Sequence, residues 1–288
     1  FTTFPDNLGK IHNEGFEIIL SSVNVRTSDL TWSTDVAFSR NRDELVELLG
    51  FDNDGDGVED DLVSEGLFIG EPFNVVYDYE TTGQIYQIGD DIPSGASIGS
   101  YVIVDQNGDD LIDQINDYKV LGYENPGYRF SIGNTIGYKN WSLFVFVNSI
   151  QGGKDYYFKL DDQNGNVGGF NDYNSGNRFN RNIPEGFDAW LPENPGARYE
   201  MIGTTVTERA KLLTQRNFVR LQDISLSYSF GPELLEKLKI RNLRLFVSGK
   251  NLLTLTKWPG LDPETGDGYT SRARPVLRSI SLGLNLDF

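Results

Sequence analysis

The last eleven residues, Arg278-Ser-Ile-Ser-Leu-Gly-Leu-Asn-Leu-Asp-Phe288, alternate without a break between apolar side chains and small or polar ones. Successive side chains on a strand point to opposite faces, so Ile280, Leu282, Leu284, Leu286 and Phe288 form one stripe, opposite Ser279, Ser281, Gly283, Asn285 and Asp287. An apolar stripe of this kind needs a cover, either a second sheet or lipid. About nine to eleven alternating residues cross a bilayer as a tilted strand, and an aromatic residue at the strand end suits the membrane interface. The stripe therefore reads as the closing strand of an outer-membrane β-barrel.

Composition agrees with that reading. No run approaches the roughly 18 consecutive apolar residues of a membrane helix, and a hydrophobic content of 38% suits a barrel, which hides its apolar band by alternation. Zero cysteines remove disulfide scaffolds, thiolate zinc sites and thiol catalysis. The net charge of −17 is concentrated: the stretch from Asp43 to Asp117 carries 20 acidic residues and no Lys or Arg, which leaves the remainder at +3. Nucleic acid is excluded as a partner, because phosphate binding needs a concentrated basic face.

Seven segments alternate in the manner of strands: Gly15–Val25, Thr31–Asn41, Tyr128–Tyr138, Trp141–Ile150, Phe218–Phe230, Leu243–Leu253 and the closing stretch. Lys139-Asn140 reads as a tight hairpin turn. Links alternate in length. Short ones follow strands one, three and five, whereas long ones span about 42–127, 151–217 and 254–275. Outer-membrane barrels have short periplasmic turns and long extracellular loops, so the C-terminus is expected on the periplasmic side. Seven is an odd number where bacterial single-chain barrels have even counts, so residues 1–288 are expected to be the C-terminal part of a larger barrel. The expected fold is all-β, a transmembrane antiparallel barrel segment with long outer loops. A secreted β-sandwich shares the periodicity and stays open as an alternative.

Several stretches resemble one family. They are Arg216-Asn-Phe-Val-Arg-Leu-Gln-Asp-Ile-Ser-Leu-Ser-Tyr228, Leu243-Arg-Leu-Phe-Val-Ser-Gly-Lys-Asn-Leu-Leu-Thr-Leu-Thr256, Gly260-Leu-Asp-Pro-Glu264 and Gly283-Leu-Asn-Leu-Asp-Phe288. In this order and spacing they resemble the last strands of the SusC/RagA family of TonB-dependent outer-membrane transporters. Asn13-Glu-Gly-Phe-Glu17, Phe68-Ile-Gly-Glu-Pro72 and Trp190-Leu-Pro-Glu-Asn-Pro195 extend the resemblance over nearly the whole chain. It implies a barrel of about 22 strands with a plug in its lumen. It also implies a SusD-like surface lipoprotein as lid, and import of oligosaccharides or oligopeptides energised by TonB. The plug and TonB-contact segment are expected upstream of this sequence. Two alternatives stand beside this reading: a calcium-stabilised sandwich serving as adhesin or carbohydrate-binding module, and a passive porin.

The loops hold the candidate sites. Asp52-Asn-Asp-Gly-Asp-Gly-Val-Glu-Asp60 places Asp52, Asp54, Asp56 and Asp60 at positions 1, 3, 5 and 9 of a calcium loop, with the Val58 carbonyl at 7 and Gly57 at the turn. A hard cation wants six to eight oxygens, and the bidentate acid at position 12 is replaced by Val63. A weaker second set is Asp105, Asn107, Asp109, Asp113 and Asp117, where Asp110 stands in the glycine position. Either run also suits a polar loop organised by Asx turns. Tyr156, Tyr157, Phe170, Tyr173 and Trp190, set among Asn, Asp and Gly, could stack on a sugar, pack the loop or contact the lipoprotein lid. With His12 as the single histidine, expected unpaired beside the first strand, no catalytic triad or histidine metal site is available. The chain is not expected to be an enzyme.

Overall fold

The computed structural model describes residues 9–156, 186–201, 206–266 and 275–288. Its frame is one seven-stranded antiparallel sheet. The strands are β1 (Lys10–Arg26), β2 (Leu30–Glu47), β7 (Pro126–Tyr138), β8 (Trp141–Gly152), β11 (Phe218–Ser229), β12 (Asn242–Thr256) and β13 (Ser279–Asp287), and this chain order is also their order across the sheet. Short strands lie in the links: β3 (Val75–Tyr79) pairs with β6 (Tyr118–Tyr123), β4 (Thr81–Ile85) with β5 (Tyr101–Ile103), and β9 (Lys154–Tyr156) with β10 (Leu213–Gln215). Two helices complete the set, α1 (Gln114–Asp117) and α2 (Pro232–Leu238), the latter inside the short link between β11 and β12.

Register turns the sequence alternation into continuous rows. One row runs Leu20, Val36, Ile132, Val147, Leu221, Leu253; another runs Trp32, Ile136, Leu143, Leu226, Val247, Leu282. The opposite face carries Ala37, Ser131, Asn148, Arg220, Thr254 and, further along, Ser33, Thr135, Phe144, Ser225, Ser248, Ser281. One face is thus apolar across all seven strands and the other mostly polar, the arrangement of a wall between lipid and a wet lumen. A bulge between Leu221 and Asp223 resets the parity of β11, so that Ile224, Leu226 and Tyr228 stay on the outer face with Leu221.

Aromatic residues bound the apolar face at both ends. Near the turns, Trp141 packs on Tyr228 at 4.8 Å between ring centroids, and Tyr228 on Phe230 at 5.0 Å. Toward the long links, Phe38 stacks on Phe16 at 5.6 Å and on Tyr128 at 5.7 Å. Tyr128 and Tyr138 lie on the same face of β7, ten positions apart. At about 3.3 Å per residue and a tilt of about 40°, that span covers roughly 25 Å along the membrane normal, the height of a barrel's apolar band.

Two strands are longer than alternation predicts. β1 has 17 residues and β2 has 18, and both run past the band to the Lys10–Glu47 ion pair at 3.5 Å. The extension of β2 carries Arg42, Asp43, Glu44 and Glu47, charged on both faces, so no apolar stripe announces it. The first long link consequently spans 48–125 rather than about 42–127. His12 lies within β1 and has a neighbour, with its Nε2 3.6 Å from a Glu14 carboxylate oxygen.

Candidate functional site

The functional end of the sheet is the one where the long links gather. The first two links fold together around Tyr79, Ile85, Tyr101, Trp190, Ala197 and Ala210. Polar groups tie the two sequences: the Tyr79 hydroxyl donates to Glu208, Lys211 Nζ lies 2.9 Å from Asp78, and the Tyr101 hydroxyl donates to the Arg198 carbonyl at 3.0 Å. Burial pushes both phenols well above their ordinary range, and the Glu208 carboxylate adds to the effect at Tyr79. Burial likewise raises the Glu200 carboxyl, against the pull of the Arg209 guanidinium 2.6 Å away.

Within the first acidic run, Asp52, Asp54 and Asp56 each present a carboxylate oxygen within 4.8 Å of the others. The same groups also shape the turn. Asp52 accepts from the amides of Gly55 at 2.7 Å, Asp56 at 3.1 Å and Gly57 at 3.0 Å, while Asp56 accepts from the Val58 amide at 2.8 Å. Gly55 and Gly57 take φ of 77° and 87°, which only glycine adopts without strain. Asp60 turns elsewhere, accepting from the Asn53 backbone at 2.6 Å and its side chain at 2.7 Å. Three of the four predicted carboxylates therefore converge.

The second run does not converge. Asp105 accepts from Gly108 at 2.6 Å and Asp110 at 2.8 Å, while Asn107 bonds Asp109. Asp113 caps α1 by accepting from Ile115 at 2.8 Å and Asn116 at 2.9 Å, and such donors hold the Asp105 and Asp113 carboxyls below their ordinary range. Asp117 is fully buried and accepts from the Gln106 amide at 2.7 Å and the Asp113 amide at 2.8 Å. Asx turns and a helix cap account for these oxygens.

The aromatic candidates part company. Trp190 is only 2% exposed and its indole N–H donates to Gln87 Oε1 at 2.9 Å, so its faces belong to the loop core rather than to a ligand. Tyr156 is half-buried on β9, with Lys211 Nζ 5.2 Å from its ring centre. Tyr157, Phe170 and Tyr173 lie outside the described residues.

Sequence reasoning missed the inner wall. Below the long links, a cavity of about 430 Å³ opens on the polar face, lined by Glu17, Arg129, Ser131, Asn148, Gln222 and Glu264 among others. Asn148 Oδ1 is buried there without a hydrogen-bond partner among the described residues. The signal was present as polar residues at inward positions of β7 and β8, but nothing in the spacing joins them to Glu264 of the last link.

No family model matches the chain. Over 98% of its length it is 29% identical to TonB-dependent receptor P3 of Formosa agariphila, covering 29% of that protein. It is 27% identical over its full length to TonB-dependent receptor P26 of the same organism, covering 30% of it. To TonB-dependent receptor SusC of Bacteroides thetaiotaomicron it is 25% identical over 98% of its length, covering 27% of that protein. Among solved structures, the RagAB peptide transporter matches its fold with a TM-score of 0.68 at 22% identity, over 98% of this chain and 30% of that one. The chain thus spans less than a third of the length of the curated relatives it matches. Together, the ordered motifs, the two-faced sheet and these likenesses make the chain similar to a segment of the barrel wall of SusC-like TonB-dependent receptors, with the fold of the matching part of the RagAB transporter.

Proposed function

We propose that this chain forms the C-terminal wall of an outer-membrane importer of oligosaccharides or oligopeptides. It works with a plug in the barrel lumen and a SusD-like surface lipoprotein over the mouth, and TonB supplies the energy. The long links 48–125, 153–217 and 257–278 lie outside the cell, and the C-terminus faces the periplasm. The observation that carries this reading is the apolar outer face, continuous over seven strands and edged by aromatics, with every long link at one end. A sandwich would need a second sheet over that face, and among the described residues none packs there. The convergence of the Asp52, Asp54 and Asp56 carboxylates supports reading this acidic turn as a calcium site.

Deletion of the complete gene tests the transport reading. Uptake of one polymeric nutrient should be lost, return with the intact gene, and fail to return when proton-motive force is collapsed. Uptake that persists without energisation would instead fit the passive porin.

A further inference from the structure

Arg220 is a heavily engaged charged residue of the inner wall, with three side-chain partners among the described residues. It projects from β11 into the row Ala37, Ser131, Asn148, Arg220, Thr254, and its side chain is 5% exposed. Every partner but one comes from the end of β12 or from the link that follows it. Nη2 lies 2.6 Å from Asp262, Nη1 donates to Glu264 at 2.9 Å, and Nε donates to Thr254 at 3.1 Å. Behind it the guanidinium sits 4.7 Å from the centre of the Phe218 ring, itself 1% exposed.

The link is shaped to meet this residue. Asp262 accepts a backbone N–H from Glu264 at 3.1 Å and gives its carbonyl to Gly266 at 3.1 Å, which closes a turn with both carboxylates on one side. Thr256 donates to the Asn217 carbonyl at 2.7 Å, and Trp258 is buried at 4% exposure. An arginine suits this position because its planar fork reaches two acids at once, which a lysine cannot do.

We propose that Arg220 is a positioning residue that holds residues 257–266 as a fixed shelf on the lumenal wall, so that Glu264 lines the wall cavity with Arg129 and Asn148. The shelf is a built-in narrowing of the path and not a loop that swings with the lid. Residues 257–266 carry an arm of the ligand path only if the importer reading holds, and the test below reads the shelf separately from transport.

Arg220→Met, Arg220→Lys and the double variant Asp262→Asn/Glu264→Gln are made in the complete transporter, with heat-dependent gel mobility confirming an assembled barrel. Trypsin cleavage after the exposed Lys257 reports release of the shelf, since cleavage follows the population of the open form. Cleavage should rise about tenfold or more in Arg220→Met and in the double variant, less in Arg220→Lys, and no further in the triple combination, because the three groups act as one unit. The KM for uptake should rise in the same order, with the maximal rate little changed. Wild-type cleavage at Lys257 in assembled Arg220→Met, or in the double variant where Arg220→Met does not assemble, would overturn the shelf. Faster cleavage with unchanged KM would keep the shelf and remove its role in the path.

Discussion

The Trp32 indole N–H donates to Asn134 Oδ1 at 2.9 Å, joining β2 to β7 on the outer face of the wall. Thr34 donates to the same oxygen at 2.7 Å, and Asn24 donates to Thr34 at 2.7 Å, so a small polar ladder stands satisfied inside an apolar face. Lipid offers no substitute partners. Asn134→Leu should therefore cost about 1–3 kcal/mol, the penalty of stranding donors away from water. Urea unfolding of the complete barrel in detergent measures it, and a variant as stable as wild type would show that the ladder contributes nothing.

Phe246 and Gly283 face each other across β12 and β13, and the Phe246 ring occupies the space that a Cβ would take at Gly283. Gly283→Val must displace the ring, an overpacking cost of about 1–3 kcal/mol. Slower membrane assembly is the expected result, read from the heat-modifiable fraction, and Phe246→Ala in the same chain should restore it.

Glu200 gives the loop core a dependence on pH. Its raised carboxyl means that the folded core holds the proton more readily than the unfolded chain does. Stability from this group is full below the ordinary carboxylate range, about pH 4, and is lost as pH climbs through the raised value. Amide protection at Tyr101 and Met201, taken relative to the intrinsic exchange rate at each pH, should fall over that rise in wild type and stay level in Glu200→Gln.

Calcium added to the complete protein should slow amide exchange at residues 52–60, and Asp52→Asn together with Asp54→Asn should abolish the effect. Equal exchange in calcium and in chelator would leave the Asx turn as the whole account of these acids.

Much of the wall was legible because strand alternation is local: all seven main strands were placed in order, five of them to within three residues while β1 and β2 run on past their expected outer ends, and Lys139, at φ 51°, sits in the turn expected at Lys139-Asn140. What eluded sequence reading depends on contacts that no period encodes. The short pairs β3–β6 and β4–β5 form because two links fold on one another, and Tyr79 meets Glu208 across more than a hundred residues. Trp190 stayed open between ligand platform and loop packing because an aromatic among glycines and amides does not reveal its cover. The Arg220 shelf was hidden for the same reason, although both halves, an inward arginine and Leu261-Asp-Pro-Glu264, were visible separately.

The central claim is directly measurable, because these residues hold no cysteine of their own and any elsewhere in the complete protein can be replaced by serine. Single cysteines placed in turn from Ser131 to Ile136 of the complete transporter, in its native membrane, are exposed to a water-soluble maleimide and to a lipid-phase thiol reagent. The wall described here predicts strict alternation, with Ser131, Gly133 and Thr135 positions labelled from water and Ile132, Asn134 and Ile136 positions from lipid. Equal labelling of both sets by the aqueous reagent would contradict it.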